Sequence, residues 1–303
     1  MRSRSPKASF VLLVLTVGLT AALSPLAGAC TGKGSSSPNA QSVERQSDAE
    51  YDLARDLLQK DNPRAALDHA MKAIALNEDN DKAQYFVAVI YMKFCSTDAA
   101  LDTPDCKLPE VEKYLRAALK ANGEFRDAKN SLGAALVLQK KCKEAITVLE
   151  PLTKDPAYVS PYYAWGNLGD ALLCDGQVDA AIAALKNSVA EPRFCVGHYR
   201  LGLAYEKKND MGNAEASFTS SVSADPECDR LQDGWSGRCR IRKRANNPEW
   251  KKDCEKCREI SAKTKTGKTC EALLGAPAPS PAAGPASSSG SSGRSSASLA
   301  SPK

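Results

Sequence analysis

The feature that most constrains the fold is a short ladder of residues in the second half of the chain. It reads Leu201-Gly202-x-x-Tyr205, followed by Ala214 and Phe218. This spacing predicts two antiparallel helices joined by a turn, in a unit of about 34 residues. The glycine lets the two helices approach closely, and the large apolar residues fill the seam between them. One such unit cannot bury its own apolar face, so a stable fold requires at least three stacked copies.

Further copies of the ladder lie upstream and in register. Trp165-x-x-Leu168-Gly169 begins one copy and Leu132-Gly133 begins another, so successive glycines are 36 and 33 residues apart (169 − 133 and 202 − 169). Three copies at this period resemble the tetratricopeptide repeat. Weaker copies flank them on both sides. The sequence therefore predicts an all-α tetratricopeptide-repeat solenoid of about five to six helix-turn-helix repeats, over residues 47–274.

The ends of this domain and one irregularity also follow from the pattern. Ser47-x-x-Glu50 has the form of a capping box, which predicts that the first helix begins there. The second repeat is about 11 residues longer than the pattern, so we expect a loop over Cys95–Pro109. A last helix pair is predicted at Leu231–Ala245 and Glu249–Thr264.

The N-terminal end carries the features of an export signal. Arg2, Arg4 and Lys7 precede an apolar stretch of 14 residues from Phe10 to Leu23. That stretch is shorter than the roughly 20 residues of a transmembrane helix and is typical of a secretory signal peptide. Small residues then precede Cys30, and this arrangement resembles a bacterial lipobox.

The lipobox resemblance implies a lipoprotein signal peptide at 1–29, with cleavage before Cys30. It further implies diacylglycerol on the Cys30 sulfur, an acylated new N-terminus and a lipidated flexible tether at 30–46. Thr31 stands where an aspartate often marks inner-membrane retention, so we expect an outer-membrane lipoprotein that faces the periplasm. The alternative is ordinary cleavage after Ala29, which leaves Cys30 free. Residues 275–303 are almost entirely Ala, Pro, Ser and Gly, which predicts a disordered tail.

Charge narrows the class of partner. The formal charge of +5 includes +3 from the signal peptide, so the mature chain carries only about +2 (5 − 3). A general nucleic-acid partner is therefore not expected. The run Arg238-x-Arg240-x-Arg242-Lys243-Arg244 predicts either a solvated capping helix or a docking surface for an acidic partner, anionic lipid or cell-wall polymer.

The cysteines indicate a disulfide framework. Removing Cys30 from the 11 cysteines leaves ten, an even number in an exported chain. Repeat geometry favours three pairs: Cys95 with Cys106, Cys142 with Cys174, and Cys195 with Cys228. The pairing of the other four stays open, and they are Cys239, Cys254, Cys257 and Cys270. A structural zinc site built from these four is an alternative, as is thiol redox chemistry at Cys254-x-x-Cys257.

No catalytic constellation is recognisable. The chain has two histidines, His69 on a helix of the first repeat and His198 at the usual Trp position of a repeat, where a packed residue is expected. We therefore predict a binding protein without enzymatic activity, small-molecule substrate, metal or cofactor, other than the lipid on Cys30. The alternative of another class is a periplasmic thiol redox protein that uses Cys254 and Cys257.

The binding surface should lie on the first helix of each repeat, because these helices line the concave face of such solenoids. Tyrosine supplies a large contact area with a hydrogen-bonding tip, and a groove of Tyr and amide side chains suits an extended peptide or a partner helix. The predicted groove residues are Tyr85, Asn130, Tyr163, Asn167, Asp170, Tyr199 and Leu203.

Several segments of this chain resemble the lipoprotein pilotins of type IV pilus secretins, the PilW/PilF family. They are Asp155-Pro156-Ala157-Tyr158 with the repeat at 161–169, and, closer to the gliding-motility member Tgl of myxobacteria, residues 194–205 with Asp225-Pro226-Glu227-Cys228. The resemblance implies a protein that binds the secretin and promotes its insertion and multimerisation, hence pilus biogenesis and twitching or social gliding motility. The alternative within the binding class is a lipid-anchored scaffold for cell-wall synthesis or outer-membrane protein insertion.

Overall fold

The computed structural model describes residues 38–95 and 103–275, and these residues form thirteen α-helices and one 3-10 helix, with no β-strand. The α-helices are α1 (Pro38–Gln59), α2 (Pro63–Leu76), α3 (Asp81–Phe94), α4 (Leu108–Ala121), α5 (Arg126–Leu138), α6 (Cys142–Thr153), α7 (Pro161–Cys174), α8 (Val178–Ser188), α9 (Cys195–Lys207), α10 (Met211–Ser223), α11 (Gln232–Arg244), α12 (Trp250–Ile260) and α13 (Lys265–Gly275). The 3-10 helix Pro226–Arg230 lies between α10 and α11. Helices α1 to α12 form six antiparallel pairs, and α13 packs on α12 and α11. The predicted all-α tetratricopeptide-repeat solenoid is confirmed.

Each of the three strongest repeats is built on the same close contact. The glycine of the first helix lies against a large residue 16 positions later on the second helix, so that a Cβ on the glycine would sit 2.3 to 2.6 Å from that side chain. The pairs are Gly133 with Leu149 (149 − 133), Gly169 with Leu185 (185 − 169) and Gly202 with Phe218 (218 − 202). All three large residues are fully buried. The seam therefore requires glycine because no side chain fits in that space.

The turn between the two helices of a pair repeats as well. Five of the six turns pass through one residue with positive φ: Asp61, Lys140, Gly176, Asn209 and Asn246. A left-handed residue after a helix end reverses the chain in a short turn, and Asn, Asp and Gly reach that conformation at low cost. The α3–α4 connection is instead long and is closed by the Cys95–Cys106 disulfide.

The start of the domain differs from the sequence-based expectation. Helix α1 begins at Pro38, nine residues before the predicted start (47 − 38), so the predicted tether at 30–46 is wrong over residues 38–46. Ser47 is no cap, because it is buried between helices. Its Oγ donates to the Ala73 carbonyl oxygen at 2.7 Å and accepts from Asn80 Nδ2 at 2.8 Å. A hydroxyl with these two tertiary hydrogen bonds stabilises helix packing rather than a helix end.

Several other expectations can be placed on the fold. The last helix pair is confirmed as α11 and α12. The predicted loop at 95–109 lies partly outside the described residues, and α4 begins at Leu108, within the predicted range. Helix α13 follows this pair and ends at Gly275, where the predicted tail begins. Residues 1–37, 96–102 and 276–303 lie outside the described residues, and so do the predicted signal peptide, Cys30 and nearly all of the predicted tail. Within the part of the chain that the structure describes, no helix has the length and apolar character needed to cross a bilayer.

We predict that Gly133→Ala destabilises the protein by about 1–3 kcal/mol, because its Cβ would overlap Leu149 in a fully packed seam. Gly212→Ala in α10 is the matched control, since a Cβ there meets no atom within 4 Å. Urea unfolding followed by circular dichroism measures both variants. Equal midpoints for Gly133→Ala and Gly212→Ala would show that the glycine seam is not tightly packed.

Candidate binding groove

The first helices of successive repeats stand side by side, and a ladder of polar side chains runs across three of them. Asn167 on α7 donates from Nδ2 to Asn130 Oδ1 on α5 at 2.9 Å. Arg200 on α9 donates from Nη1 to Asn167 Oδ1 at 3.1 Å, and its Nε lies 2.8 Å from Asp170 Oδ2 on α7. The structure thus brings three of the predicted groove residues together, joined by an arginine that the sequence analysis missed. We call these four residues the polar ladder.

The sequence does carry a signal for Arg200. Asn167 is the residue one repeat upstream of Arg200 (200 − 167 = 33), and it follows Gly166 directly. A Cβ at Gly166 would sit 2.9 Å from Arg200 Nη1. The glycine beside Trp165 therefore leaves room for the Arg200 side chain.

The ladder combines hydrogen-bonding groups with a compensated charge pair. Burial raises the pKa of the Asp170 carboxyl, and the Arg200 guanidinium opposes that rise. Asn167 is buried, whereas Asn130 and the Asp170–Arg200 pair are partly exposed. Groups of this kind can donate hydrogen bonds to the main-chain carbonyl oxygens of a bound segment and accept them from its amides. They do not form a nucleophile–base pair.

Two of the predicted tyrosines pack on aromatic neighbours beside this ladder. Tyr163 keeps 44% of its surface exposed, and its ring lies 4.4 Å from Tyr162 and 5.2 Å from Phe194. Tyr85 is half-buried, 4.8 Å from the Phe125 ring, and burial raises the pKa of its hydroxyl. Tyr163 therefore offers the larger free contact surface of the two.

The remaining two predicted residues serve packing more than binding. Tyr199 is half-buried with its ring 5.9 Å from Phe218, and Leu203 packs against the cluster of Ala214, Phe218 and Ile241. These contacts join α9 to α10 and α11. Both residues lie on the expected helix, but much of their side-chain surface is taken up by the neighbouring helices.

The two histidines are tied to nearby groups. His198 is half-buried on α9, its Nε2 donates to the Pro192 carbonyl oxygen at 3.3 Å, and burial lowers its pKa. His69 on α2 places Nδ1 2.5 Å from Glu50 Oε2 on α1. Among the described residues no group of His, Cys, Asp and Glu is arranged to hold a metal ion.

The basic run on α11 is largely paired with acidic residues of the same chain, so it is not simply a solvated face. The carboxylate of the buried Asp253 on α12 lies 2.8 Å from Arg238 Nη2 and 2.9 Å from Arg242 Nη1. Arg242 also binds Glu215 of α10 at 2.7 Å. The guanidinium of Arg238 lies 4.4 Å from the centre of the Trp235 ring.

The rest of the basic run is also bound within the molecule. Glu206 of α9 accepts two hydrogen bonds from Arg240, at 3.0 and 2.6 Å, and lies 3.4 Å from Arg244. These hydrogen bonds raise the pKa of Arg240. Lys243 is buried and donates to the carbonyl oxygen of Leu273 on α13. The run therefore joins α11 to α9, α10, α12 and α13.

We predict that Asp253→Asn lowers the free energy of unfolding by about 3–5 kcal/mol, because it leaves two partly buried guanidinium groups without their shared carboxylate. Glu249→Gln is the control, because it removes a carboxylate whose pair with Lys252 is exposed, and it should change stability by less than about 1 kcal/mol. Urea titration of both variants measures the difference. A cost for Asp253→Asn no larger than that for Glu249→Gln would contradict the internal role of the basic run.

The four cysteines whose pairing stays open in the sequence form two disulfides, and all four are fully buried. Cys239 of α11 is joined to Cys254 of α12, and Cys257 of α12 is joined to Cys270 of α13. The three pairs favoured by repeat geometry are joined as well. Cys254 and Cys257 therefore do not form a Cys-x-x-Cys disulfide with each other, and in this arrangement the four sulfurs are bonded in pairs.

We predict that peptide mapping of the non-reduced protein recovers Cys239 linked to Cys254 and Cys257 linked to Cys270. Each bridge should stabilise the fold by about 2–4 kcal/mol, so reduction should lower the unfolding temperature. Mass spectrometry before and after reduction provides the measurement. Recovery of a Cys254–Cys257 bridge, or of free thiols at these positions, would contradict the pairing.

The fold is that of an all-α helical-repeat protein. The tetratricopeptide-repeat family model matches residues 197–228, the helix pair that contains Gly202 and Phe218. No curated protein sequence matches the chain. The class is therefore that of a tetratricopeptide-repeat solenoid.

Solved structures extend this likeness over about three quarters of the chain. PilW, described as a widely conserved type IV pilus biogenesis factor, is similar with a TM-score of 0.60 and 21% identity, over 74% of this chain and 97% of PilW. PilF of Pseudomonas aeruginosa is similar with a TM-score of 0.57 and 15% identity, over 76% of this chain and 99% of PilF. A chain of the APC/C Cut9–Hcn1 hetero-tetramer also reaches 0.60 at 11% identity, but over only 45% of its own length. At these identities the likeness shows the fold.

Proposed function

We propose that this protein is an outer-membrane lipoprotein of the pilotin type, which binds the secretin of a type IV pilus machine and promotes its insertion and multimerisation. The secretin is its protein partner, and the lipid on Cys30 is its membrane anchor. The protein acts by binding, without catalysis, cofactor or small-molecule substrate. Pilus biogenesis and pilus-driven motility depend on it, and the segments shared with Tgl favour social gliding.

The observation that carries this proposal is the extent of the fold match. The chain spans nearly the full length of PilW and of PilF, at 97% and 99%, whereas it spans less than half of the Cut9–Hcn1 chain of equal TM-score. A match over nearly the whole of PilW and PilF compares complete solenoids with this chain, rather than one part of a longer solenoid. PilW is described as a pilus biogenesis factor, which makes the secretin of such a machine the partner to test first.

The proposed mechanism combines the anchor with the groove. A lipid at Cys30 holds the solenoid at the membrane, and the face that carries the polar ladder and Tyr163 captures a segment of the secretin. Once anchored, the groove meets its partner at an effective concentration set by the short tether rather than by diffusion in the periplasm. Disulfides in every part of the domain from repeat two onward suit an oxidising compartment.

We predict that deletion of the gene abolishes heat-resistant secretin multimers and surface pili, with the secretin monomer still present. Immunoblots of unboiled membrane fractions and electron microscopy of the cells measure both.

Cys30→Ala should move the protein from the outer-membrane fraction to the soluble fraction and lower the multimer yield, whereas Cys30→Ala protein that remains in the membrane would contradict the anchor. For the gene deletion, unchanged multimers and pili would contradict the proposed function and favour a scaffold for cell-wall synthesis or outer-membrane protein insertion.

A further inference from the structure

An exposed apolar surface lies at the end of the candidate groove, in the linker before α7 and at the start of α7 and α9. Val159 is 92% exposed, Tyr163 is 44% exposed and Val196 is 37% exposed. Exposed apolar residues that cluster in this way mark contact surfaces more often than single exposed residues do.

The rings in this region are packed together across two repeats. Phe194, which precedes α9, contacts both Tyr162 and Tyr163 of α7 with ring centres 5.2 Å apart in each case. Tyr163 and Val196 occupy the same place in successive repeats (196 − 163 = 33). The surface therefore has a fixed aromatic base, and we call Val159, Tyr162, Tyr163, Phe194 and Val196 the apolar rim.

The linker that carries Val159 is itself held firmly. Asp155 accepts hydrogen bonds from the Ala157 amide at 2.9 Å and from Arg126 Nε at 2.7 Å. These two bonds lower the pKa of the Asp155 carboxyl, so it stays ionised. Tyr158 is buried against Leu152 and Ala164. A linker fixed on both sides that leaves its valine in solvent is preorganised for contact, because little conformational entropy is lost on binding.

The rim and the polar ladder are continuous. Tyr163, Asn167 and Asp170 are spaced i, i+4 and i+7 on α7, and Val196 and Arg200 are spaced i, i+4 on α9. Residues at these spacings share one face of a helix. A bound segment that passes over this face meets apolar side chains first and hydrogen-bonding side chains next.

Charge at the edge favours one kind of occupant. Arg193 directly precedes Phe194, its side chain is 81% exposed, and its Nε lies 3.5 Å from Asp225 Oδ2. A second copy of this chain centred on Arg193 in a twofold contact would place two Arg193 guanidinium groups in one interface, which is unfavourable. A partner with a carboxylate beside its apolar anchor residue fits better.

We propose that the apolar rim binds an extended segment of the secretin, with a large apolar side chain seated on Tyr163 and Phe194 and an acidic residue beside it facing Arg193. The main chain that follows this anchor residue hydrogen-bonds to the polar ladder. This inference rests on the proposed function and names the part of the groove that makes the first contact. Aromatic residues of this kind carry a large share of binding energy in protein interfaces.

The first test is photocrosslinking in cells that make the full-length lipidated protein with benzoyl-phenylalanine at position 159. We expect an ultraviolet-dependent product of this protein with the secretin, identified with antibodies to both. Position 53 is the matched control, because Leu53 is 42% exposed on the distant helix α1 and should give no such product. A product at 53 but not at 159, a product of two copies, a product with residues 276–303 of the same chain, or no product at 159 overturns the proposal.

The second test uses the variants Val159→Asp and Tyr163→Asp, with Leu53→Asp as the matched control. Each rim variant should reduce the secretin that co-purifies with the protein at least about tenfold, the range of an interface hot spot, with an unchanged circular dichroism spectrum. Arg193→Glu should reduce the amount of co-purified secretin at low salt and have a smaller effect at high salt.

If the deletion strain loses multimers but the rim variants keep them, the proposed role of the apolar rim is wrong and the proposed function stands. If the deletion strain keeps its multimers, the proposed function itself fails.

Discussion

The close contact between a glycine on one helix and a large residue on the next is the constraint on which the rest of the structure depends. At Gly133, Gly169 and Gly202 the partner side chain occupies the space that a Cβ would need. The two helices of each pair can approach only because that space is free, and the resulting hairpin presents a flat apolar side to the next hairpin. The spacing of 16 residues between glycine and partner fixes the register of each hairpin, and the period of the repeat fixes the register of the stack.

Fixed register is also what creates the binding face. Arg200 reaches Asn167 and Asp170 because α9 stands beside α7 at one repeat of displacement and because Gly166 leaves space for the guanidinium. The C-terminal end is held by a different set of forces. Asp253 and Glu206 bind the arginines of α11, and two disulfides join α11 to α12 and α12 to α13. Terminal repeats lack a neighbour on one side, so ion pairs and covalent bridges replace part of the missing apolar packing.

The sequence alone was sufficient for the helix pairs with a strong ladder, because glycine and its large partner leave a periodic signal. It was misleading at Ser47, where a serine followed by Glu50 has the pattern of a cap but serves as a buried hydrogen-bonding group between α1, α2 and α3. For the basic run, charge counting predicts a surface role because it does not show where the acidic partners lie. Asp253 and Glu206 come from two other helices. The groove residues were placed on the correct helices, but Tyr199 and Leu203 pack on neighbouring helices, and only tertiary structure reveals how much of a side chain remains free.

A groove can select a partner only if the helices that line it keep their register, so the proposed function depends on the glycine seam. The most direct test of that seam is a double-mutant cycle on Gly169→Ala and Leu185→Ala, measured by urea unfolding. If the two residues compete for one space, Gly169→Ala should be costly in the wild-type background and nearly neutral or stabilising in the Leu185→Ala background, with a coupling energy of about 0.5–3 kcal/mol. Additive effects, with a coupling below about 0.3–0.5 kcal/mol, would contradict the claim that the glycine seam sets the fold.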